Sequence, residues 1–359
     1  MKRMLIHIAI VAALVLSFGL LPKPAFATTS GQSSGSITVE QVAPTFTYTD
    51  TNTSTVLEVY SDAGLTTPAT TLTPQVEYRV KVTIGDANTL ADLSIVKVIF
   101  KYFAADSTGS TDINTETGIN QTKAVLTCTG AGGGSPSWAI DGGAGGSWAI
   151  VSSDCVQPTT TANSGSYVFA FKPGKVATQS AGGALASAGF AVFAWVKNSG
   201  SGTASVWYQD GSSNVKKGIN WYGETTVNTA SVTWSGIAPG TDFNGTNSKQ
   251  TGISVKYIAN GNYHNTVGAI DSWTGGLGAT MDATGTCSSV RNFALKAWND
   301  DIPASAVLVT VAGTTVQSDQ TQTVEAGSTV STNALYLKLA SVFPVATYSG
   351  TITYTIANP

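Results

Sequence analysis

The oxygen-bearing side chains best suited to bind a cation lie in one short stretch, GDANTLAD. It contains Asp86, Asn88 and Asp92, and Ca2+ prefers carboxylate and amide oxygens of this kind. Asp and Asn also stabilise turns by hydrogen bonding to the backbone, and the stretch matches no EF-hand or RTX pattern. Ordinary turn chemistry is therefore the favoured interpretation, and a structural Ca2+ site is the alternative. No other cofactor is expected.

Catalytic chemistry has few residues to draw on. After residue 27 the sequence contains one histidine, His264, so His-based triads and multi-His zinc sites lack their components. Residues 31–35 match G-x-S-x-G, but that motif requires a strand-to-helix turn and here lies in a Ser/Gly-rich segment. The acidic residues are scattered and suggest no carboxylate pair for glycoside hydrolysis. We expect no enzymatic activity.

The first 27 residues have the pattern of a signal peptide. Lys2 and Arg3 precede an apolar run over 4–21, and Ala25 and Ala27 supply the small residues needed before a cleavage site. We therefore predict a secreted protein, located outside the cell or on its surface. An uncleaved anchor helix is the alternative, although prolines follow the apolar run directly. No later run approaches the ~18 apolar residues of a membrane span, so the mature chain is predicted to have none.

The charge of the chain argues against nucleic acid as a partner. After residue 27 the sequence keeps 15 basic residues against 21 acidic ones, without a basic block. Nucleic-acid binding requires a positive footprint that displaces counterions. Charged residues make up 11% of the chain, compared with roughly 25% in ordinary soluble domains. Weakly charged surfaces tend to associate, which favours self-association.

The cysteines fit an exported protein. Cys128 and Cys155 bracket a glycine-rich loop, whereas Cys287 lies far along the chain. In an oxidising compartment the economical pairing joins Cys128 to Cys155, and a loop of that size would stabilise the fold by roughly 3–4 kcal/mol. Cys287 is then a buried thiol or an intermolecular link, and its pairing with either other cysteine stays open.

The bracketed loop contains the tetrapeptide SWAI twice. Each copy follows a glycine run and contains a tryptophan, Trp138 in the first and Trp148 in the second. Exposed on a flexible backbone, these indoles would stack on glycans or on a neighbouring subunit. The favoured alternative is a hairpin whose tryptophans cover the core, because large aromatic side chains are usually buried.

The periodicity of the chain is that of β-strands. VEYRVKVTI, residues 76–84, alternates apolar and polar side chains, as expected for a half-buried antiparallel strand. Similar segments recur to the C-terminus, separated by Gly, Ser, Asn and Asp turns, and no window sustains a helical period. We predict an all-β protein with two antiparallel β-sandwich domains, over 43–225 and 226–359, preceded by an extended N-terminal arm over 28–42.

Two segments carry a resemblance to a known class of proteins. VTIGDANTLADLSIVKVIF resembles the strand–loop–strand signature of immunoglobulin-like domains in prokaryotic surface proteins. The ending YSGTITYTI is similar to the last strand of many secreted β-sandwich subunits. The resemblance implies immunoglobulin-like sandwiches and a role in surface layers, filaments or adhesion.

The arm offers a route to assembly. Ile37 and Val39 share one face of ITVEQV, whereas Val42 falls on the other parity and Pro44 interrupts the pattern. The arm is either an edge strand on its own sandwich, which is favoured, or a strand donated to a neighbouring copy.

The predicted function follows from these features together. We predict a structural subunit of an extracellular filament or surface layer, with identical subunits as its partners. The alternative is a secreted adhesin or carbohydrate-binding module that binds glycans through exposed tryptophans.

Overall fold

The computed structural model describes residues 36–48, 53–104, 119–141, 148–184, 186–210, 213–299, 303–323 and 329–359. The predicted signal peptide and the arm up to residue 35 lie outside this set. The described part of the chain is all-β, which confirms the predicted fold class. Its helical segments are three 3-10 turns, Leu90–Asp92, Ser152–Asp154 and Pro303–Ser305. No described helix is long and apolar enough to span a membrane.

Fourteen strands of the described chain form the first half of the structure. Their bounds are β1 Leu57–Tyr60, β2 Thr71–Leu72, β3 Tyr78–Gly85, β4 Leu93–Phe103, β5 Lys123–Thr129, β6 Ser137–Ile140, β7 Ala149–Ile150, β8 Ser164–Lys172, β9 Gly183–Ala184, β10 Gly189–Asn198, β11 Thr203–Trp207, β12 Gln209–Asp210, β13 Ser213–Lys216 and β14 Gly218–Ile219.

Two main sheets pack face to face in this half, with strand orders β1-β3-β8-β7 and β11-β10-β4-β5-β6. On β3 the side chains of Val80, Val82 and Ile84 are fully buried while Arg79 and Lys81 remain partly exposed, so the alternation in the sequence places one face in the core. Both sheets contribute to the resulting hydrophobic cluster, which we call the first core.

Ten further strands of the described chain form the second half, and they surround a second core. Their bounds are β15 Gly223–Val227, β16 Lys249–Ala259, β17 Tyr263–Ala269, β18 Ser272–Trp273, β19 Ala279–Met281, β20 Asn292–Asn299, β21 Val307–Leu308, β22 Thr314–Gln320, β23 Thr329–Leu339 and β24 Ile352–Ala357. One sheet has the order β15-β16-β23-β20-β19-β18, with β21 also on β20, and the other has the order β22-β17-β24. In this half the strands pair antiparallel except for β19 and β20, which are parallel. In the first half, β2 and β14 are also parallel.

Asn260 joins the two halves, which belong to one structural unit over Gln41–Pro359. Its side chain is fully buried, and its Nδ2 donates to the carbonyls of Ala177 and Asn220 at 2.9 and 2.8 Å. Its Oδ1 accepts a hydrogen bond from the Tyr222 amide at 2.7 Å. The amide group therefore satisfies three backbone groups at the junction. The predicted domain boundary near residue 225 stays a prediction.

Replacing Asn260 with alanine should lower the free energy of unfolding by about 2–3 kcal/mol, because three backbone groups would lose their partner in a buried place. Denaturant unfolding of the mature protein measures this. Asn228→Ala is the matched control, since the Asn228 side chain is exposed and contacts Ser254 Oγ. The control should change stability by no more than about 0.5 kcal/mol. Equal losses in both variants would show that Asn260 has no special role.

Candidate functional site

An apolar groove of about 1000 Å3 opens into the second core. Its floor consists of side chains from the three adjacent strands β16, β23 and β20: Ile253, Leu335, Leu337 and Phe293. These four are almost fully buried, so the floor of the groove is the inner face of the sheet itself. A surface of this kind normally packs under another strand.

The two sides of the groove are formed by backbone that belongs to no strand. Residues 229–239 follow β15 along one side, and residues 343–351 precede β24 along the other. Pro239 and Pro344 lie in these segments, and proline cannot donate a hydrogen bond to a sheet. The neighbouring strand β24 is the last in its sheet order. The groove is therefore bordered by a sheet edge.

Aromatic side chains form one part of the lining. The rings of Trp234 and Trp273 lie 6.1 Å apart, and Trp273 lies 4.5 Å from the ring of Phe293. Gly350 lies against Trp273, since a β-carbon at Gly350 would fall 2.0 Å from the indole. The Trp273 Nε1 is enclosed and has no hydrogen-bond partner within the described structure. Every residue that lines the groove is uncharged. The groove therefore suits an apolar, uncharged occupant.

The described arm residues are not part of any regular strand. Ile37 and Val39 are 92% and 74% exposed. Val42 differs, because its amide donates to Asn88 Oδ1 at 2.7 Å and its carbonyl accepts from Asn198 Nδ2 at 2.8 Å. Thr45 then forms an isolated bridge with Gly85. The favoured edge strand over 37–42 is thus not seen, and Val42 is bound separately from the two apolar residues predicted with it.

The predicted disulfide is absent from the structure, in which Cys128, Cys155 and Cys287 are free thiols. Cys128 lies in the first core, and burial raises its pKa to about 12. The Cys155 sulfur instead accepts a hydrogen bond from the Ala170 amide at 3.3 Å, and burial raises its pKa to about 11. Disulfide formation proceeds through a thiolate, which both environments disfavour. Cys287 is a buried thiol.

The two SWAI tryptophans lie against the first core. Trp148 is 2% exposed and packs within 6.2 Å of the rings of Phe100 and Phe171. Trp138, on β6, is half-buried and meets the Phe169 ring edge to face at 4.9 Å. Trp148 is therefore not an exposed platform for a glycan, because its ring faces are covered by core side chains.

The predicted Ca2+ ligands lie in the turn that follows β3. Asp86 is buried, Asp92 is half-buried and ends a 3-10 turn, and the oxygen of the Asn88 side chain already accepts the Val42 amide. The sequence pattern missed the groove entirely. The signals that could have suggested it are the two proline-containing segments, one after β15 and one before β24.

Comparisons with known proteins identify no relative by sequence: no family model matches, and no curated protein matches. Among solved structures, the chain is similar to one in the crystal structure of the CsuC–CsuE chaperone–tip adhesion subunit pre-assembly complex from the archaic chaperone-usher Csu pili of Acinetobacter baumannii. The identity is 10%, the match covers 77% of this chain and 91% of that chain, and the TM-score is 0.23. A TM-score this low carries no argument about function.

Proposed function

We propose that this protein is a structural subunit of an extracellular filament or surface layer, and that one copy inserts its N-terminal arm into the groove of the next. The observation that carries the proposal is the uncharged groove, which opens onto the inner face of a sheet beside an edge strand. In this role the protein is a building block and not an enzyme.

An inserted strand would satisfy two physical needs of the groove. The free edge of β24 (Ile352–Ala357) offers backbone donors and acceptors that a new strand could pair with. The apolar side chains of that strand would be buried in the groove, and each fully buried aliphatic side chain contributes about 1.5–3 kcal/mol. Strand addition of this kind gives affinity through the backbone and specificity through alternate side chains.

The arm of a second copy has the properties that the groove requires. Ile37 and Val39 alternate with polar residues and are exposed. The segment 28–39 carries no charge, which matches the uncharged lining. Thirteen residues, 28–40, can extend over roughly 40 Å, about twice the length of a typical strand. The arm could therefore reach a neighbouring groove and still contribute a full strand.

The alternative, a secreted adhesin that binds glycans through Trp138 and Trp148, has less support. It requires exposed indole faces, and Trp148 is buried under Phe100 and Phe171.

Electron microscopy of the mature protein in negative stain tests the proposal. We expect regular filaments or sheets, and we expect a variant lacking residues 28–40 to stay monomeric with an unchanged circular dichroism spectrum. The matched control replaces 28–40 by a Gly/Ser segment of equal length, which should also fail to assemble. A deletion variant that still polymerises, or a mature protein that remains monodisperse and binds a glycan array, would overturn it.

A further inference from the structure

We propose that Asp86 and Asp92 bind a Ca2+ ion at the root of the arm. This site is separate from the groove and does not depend on the proposed assembly. Four observations support it: a buried carboxylate with an unpartnered oxygen, a second carboxylate with an unpartnered oxygen in the same turn, the lack of a cationic partner among the described residues, and the attachment of the arm to that turn.

The Asp86 carboxylate is only partly satisfied. The residue is 3% exposed, and its Oδ1 accepts the Asn88 amide at 2.8 Å. Its Oδ2 is enclosed and has no partner within the described structure. The backbone around it is fixed, because the Asn163 carbonyl accepts the Asp86 amide and the Asn163 side chain donates to the Asp86 carbonyl. An ionised carboxylate with a bare buried oxygen is costly, and a bound cation would remove that cost.

Asp92 adds a second carboxylate to the same turn. Its Oδ1 accepts hydrogen bonds from Gln41 Nε2 and Ser199 Oγ. Its Oδ2 is enclosed and is also unpartnered in the described part of the chain. The Thr89 amide donates to the Asp86 carbonyl, and the Asp92 amide donates to the Thr89 carbonyl. Both carboxylates therefore belong to one hydrogen-bonded turn, which concentrates negative charge there.

Neither carboxylate forms an ion pair within the residues that the structure describes. The ion pairs found there involve Arg79, Lys97, Lys175, Lys217 and Lys338, and none of them reaches Asp86 or Asp92. The described residues also contain no group of three or more His, Cys, Asp or Glu side chains suited to a metal. Other oxygen ligands must therefore come from neutral groups and water. Ca2+ accepts such mixed, irregular oxygen sets, and extracellular sites of this type have Kd values of about 10⁻⁴–10⁻³ M.

The structure changes the set of ligands that the sequence suggests. The side-chain oxygen of Asn88 accepts a hydrogen bond from the Val42 amide and so anchors the chain at Val42. Asp86 and Asp92 are then the two candidate ligands that remain. Gln41 donates to Asp92 at the same place. A Ca2+ ion would neutralise the acidic pair and thereby fix Gln41 and Val42, the point from which the arm departs.

The test measures thermal unfolding of the mature full-length protein in CaCl2 and in EDTA, with calorimetric titration of CaCl2. At a tenfold excess over Kd we expect Tm to rise by roughly 2–4 °C. The double variant Asp86→Asn with Asp92→Asn should show no rise. It should stay folded in EDTA, because asparagine keeps an accepting oxygen at each position and removes the like-charge repulsion.

Asp282→Asn is the matched control. The Asp282 oxygens accept hydrogen bonds from Thr284, Thr286 and Cys287, so this carboxylate is satisfied by its own loop. The Asp282→Asn protein should keep the full Ca2+-dependent rise in Tm. The site would be overturned if the wild-type protein showed neither heat of binding nor a change in Tm in about 10 mM CaCl2. It would also be overturned if CaCl2 raised the Tm of the double variant as much as that of the wild type. Because arm and groove are intact in every variant, these results are separable from those on assembly.

Discussion

Replacing Lys217 with alanine should lower the free energy of unfolding by about 3–5 kcal/mol, because it would leave a buried carboxylate without its cationic partner. Lys217 Nζ lies 2.8 Å from Glu58 Oε1, and their side chains are only 1% and 5% exposed. The Tyr208 hydroxyl donates to Glu58 Oε2 at 2.7 Å, and Lys217 Nζ lies 4.0 Å from the centre of the Tyr208 ring. Alanine would remove the cation and leave Glu58 with its burial cost.

The ion pair between Lys217 and Glu58 also connects two parts of the fold. Glu58 lies on β1, in one sheet of the first half. Lys217 exchanges two backbone hydrogen bonds with Phe190 of β10, in the opposing sheet. The pair therefore connects the two sheets through residues 159 positions apart.

Denaturant unfolding measures the effect, with Lys338→Ala as the control. Lys338 pairs with Asp242 at 3.5 Å, but the Asp242 side chain is 71% exposed, so that loss should stay within about 1 kcal/mol. The double variant Glu58→Met with Lys217→Met should be more stable than Lys217→Ala, since well-packed apolar side chains can replace a buried pair. A Lys217→Ala variant as stable as the control would contradict the prediction.

Replacing Val39 with aspartate should raise the concentration needed for assembly by at least about 100-fold without destabilising the monomer. The side chain is 74% exposed, so the monomer tolerates a charge there. In the proposed assembly the same position faces the uncharged groove, where an unpaired carboxylate costs several kcal/mol. Sedimentation of the mature protein across a concentration series measures the threshold.

Thr38→Asp is the matched control for Val39→Asp. Thr38 is also exposed, and the substitution adds the same charge one residue away. In an inserted strand that side chain would point to the opposite face. We expect the concentration that Thr38→Asp needs for assembly to stay within about tenfold of that of the wild type, which corresponds to about 1.4 kcal/mol. Equal effects of the two substitutions would show that charge, and not the face of the strand, controls assembly.

The fold class could be predicted from the sequence because alternation over Tyr78–Gly85 reports directly on burial. The groove could not be predicted, because it depends on which strands become neighbours. Leu335, Leu337 and Phe293 look like ordinary strand residues, and nothing local shows that the space beside β24 lacks a strand within the described structure. Sheet order is a property of the whole chain.

The turn after β3 shows the limit of local patterns for a candidate site. Asp86, Asn88 and Asp92 are close in the sequence, but the oxygen of Asn88 is occupied by Val42, which lies 46 positions away. The burial of Asp86 likewise depends on distant segments. The glycine-flanked Trp148 illustrates the same point, because its contacts with Phe100 and Phe171 come from two different sheets.

A contact between an arm and a groove would join two unlike surfaces, and this has a consequence for the polymer as a whole. Repeated contacts of this type either close into a ring or continue as an open chain, and in an open chain every subunit faces the same way. Such a polymer is polar: one terminus presents an empty groove and the other an unused arm. A copy without residues 28–40 would still offer its groove but could not enter another one. It would therefore terminate one end selectively, so the ratio of truncated to complete subunits would set the average length of the polymer.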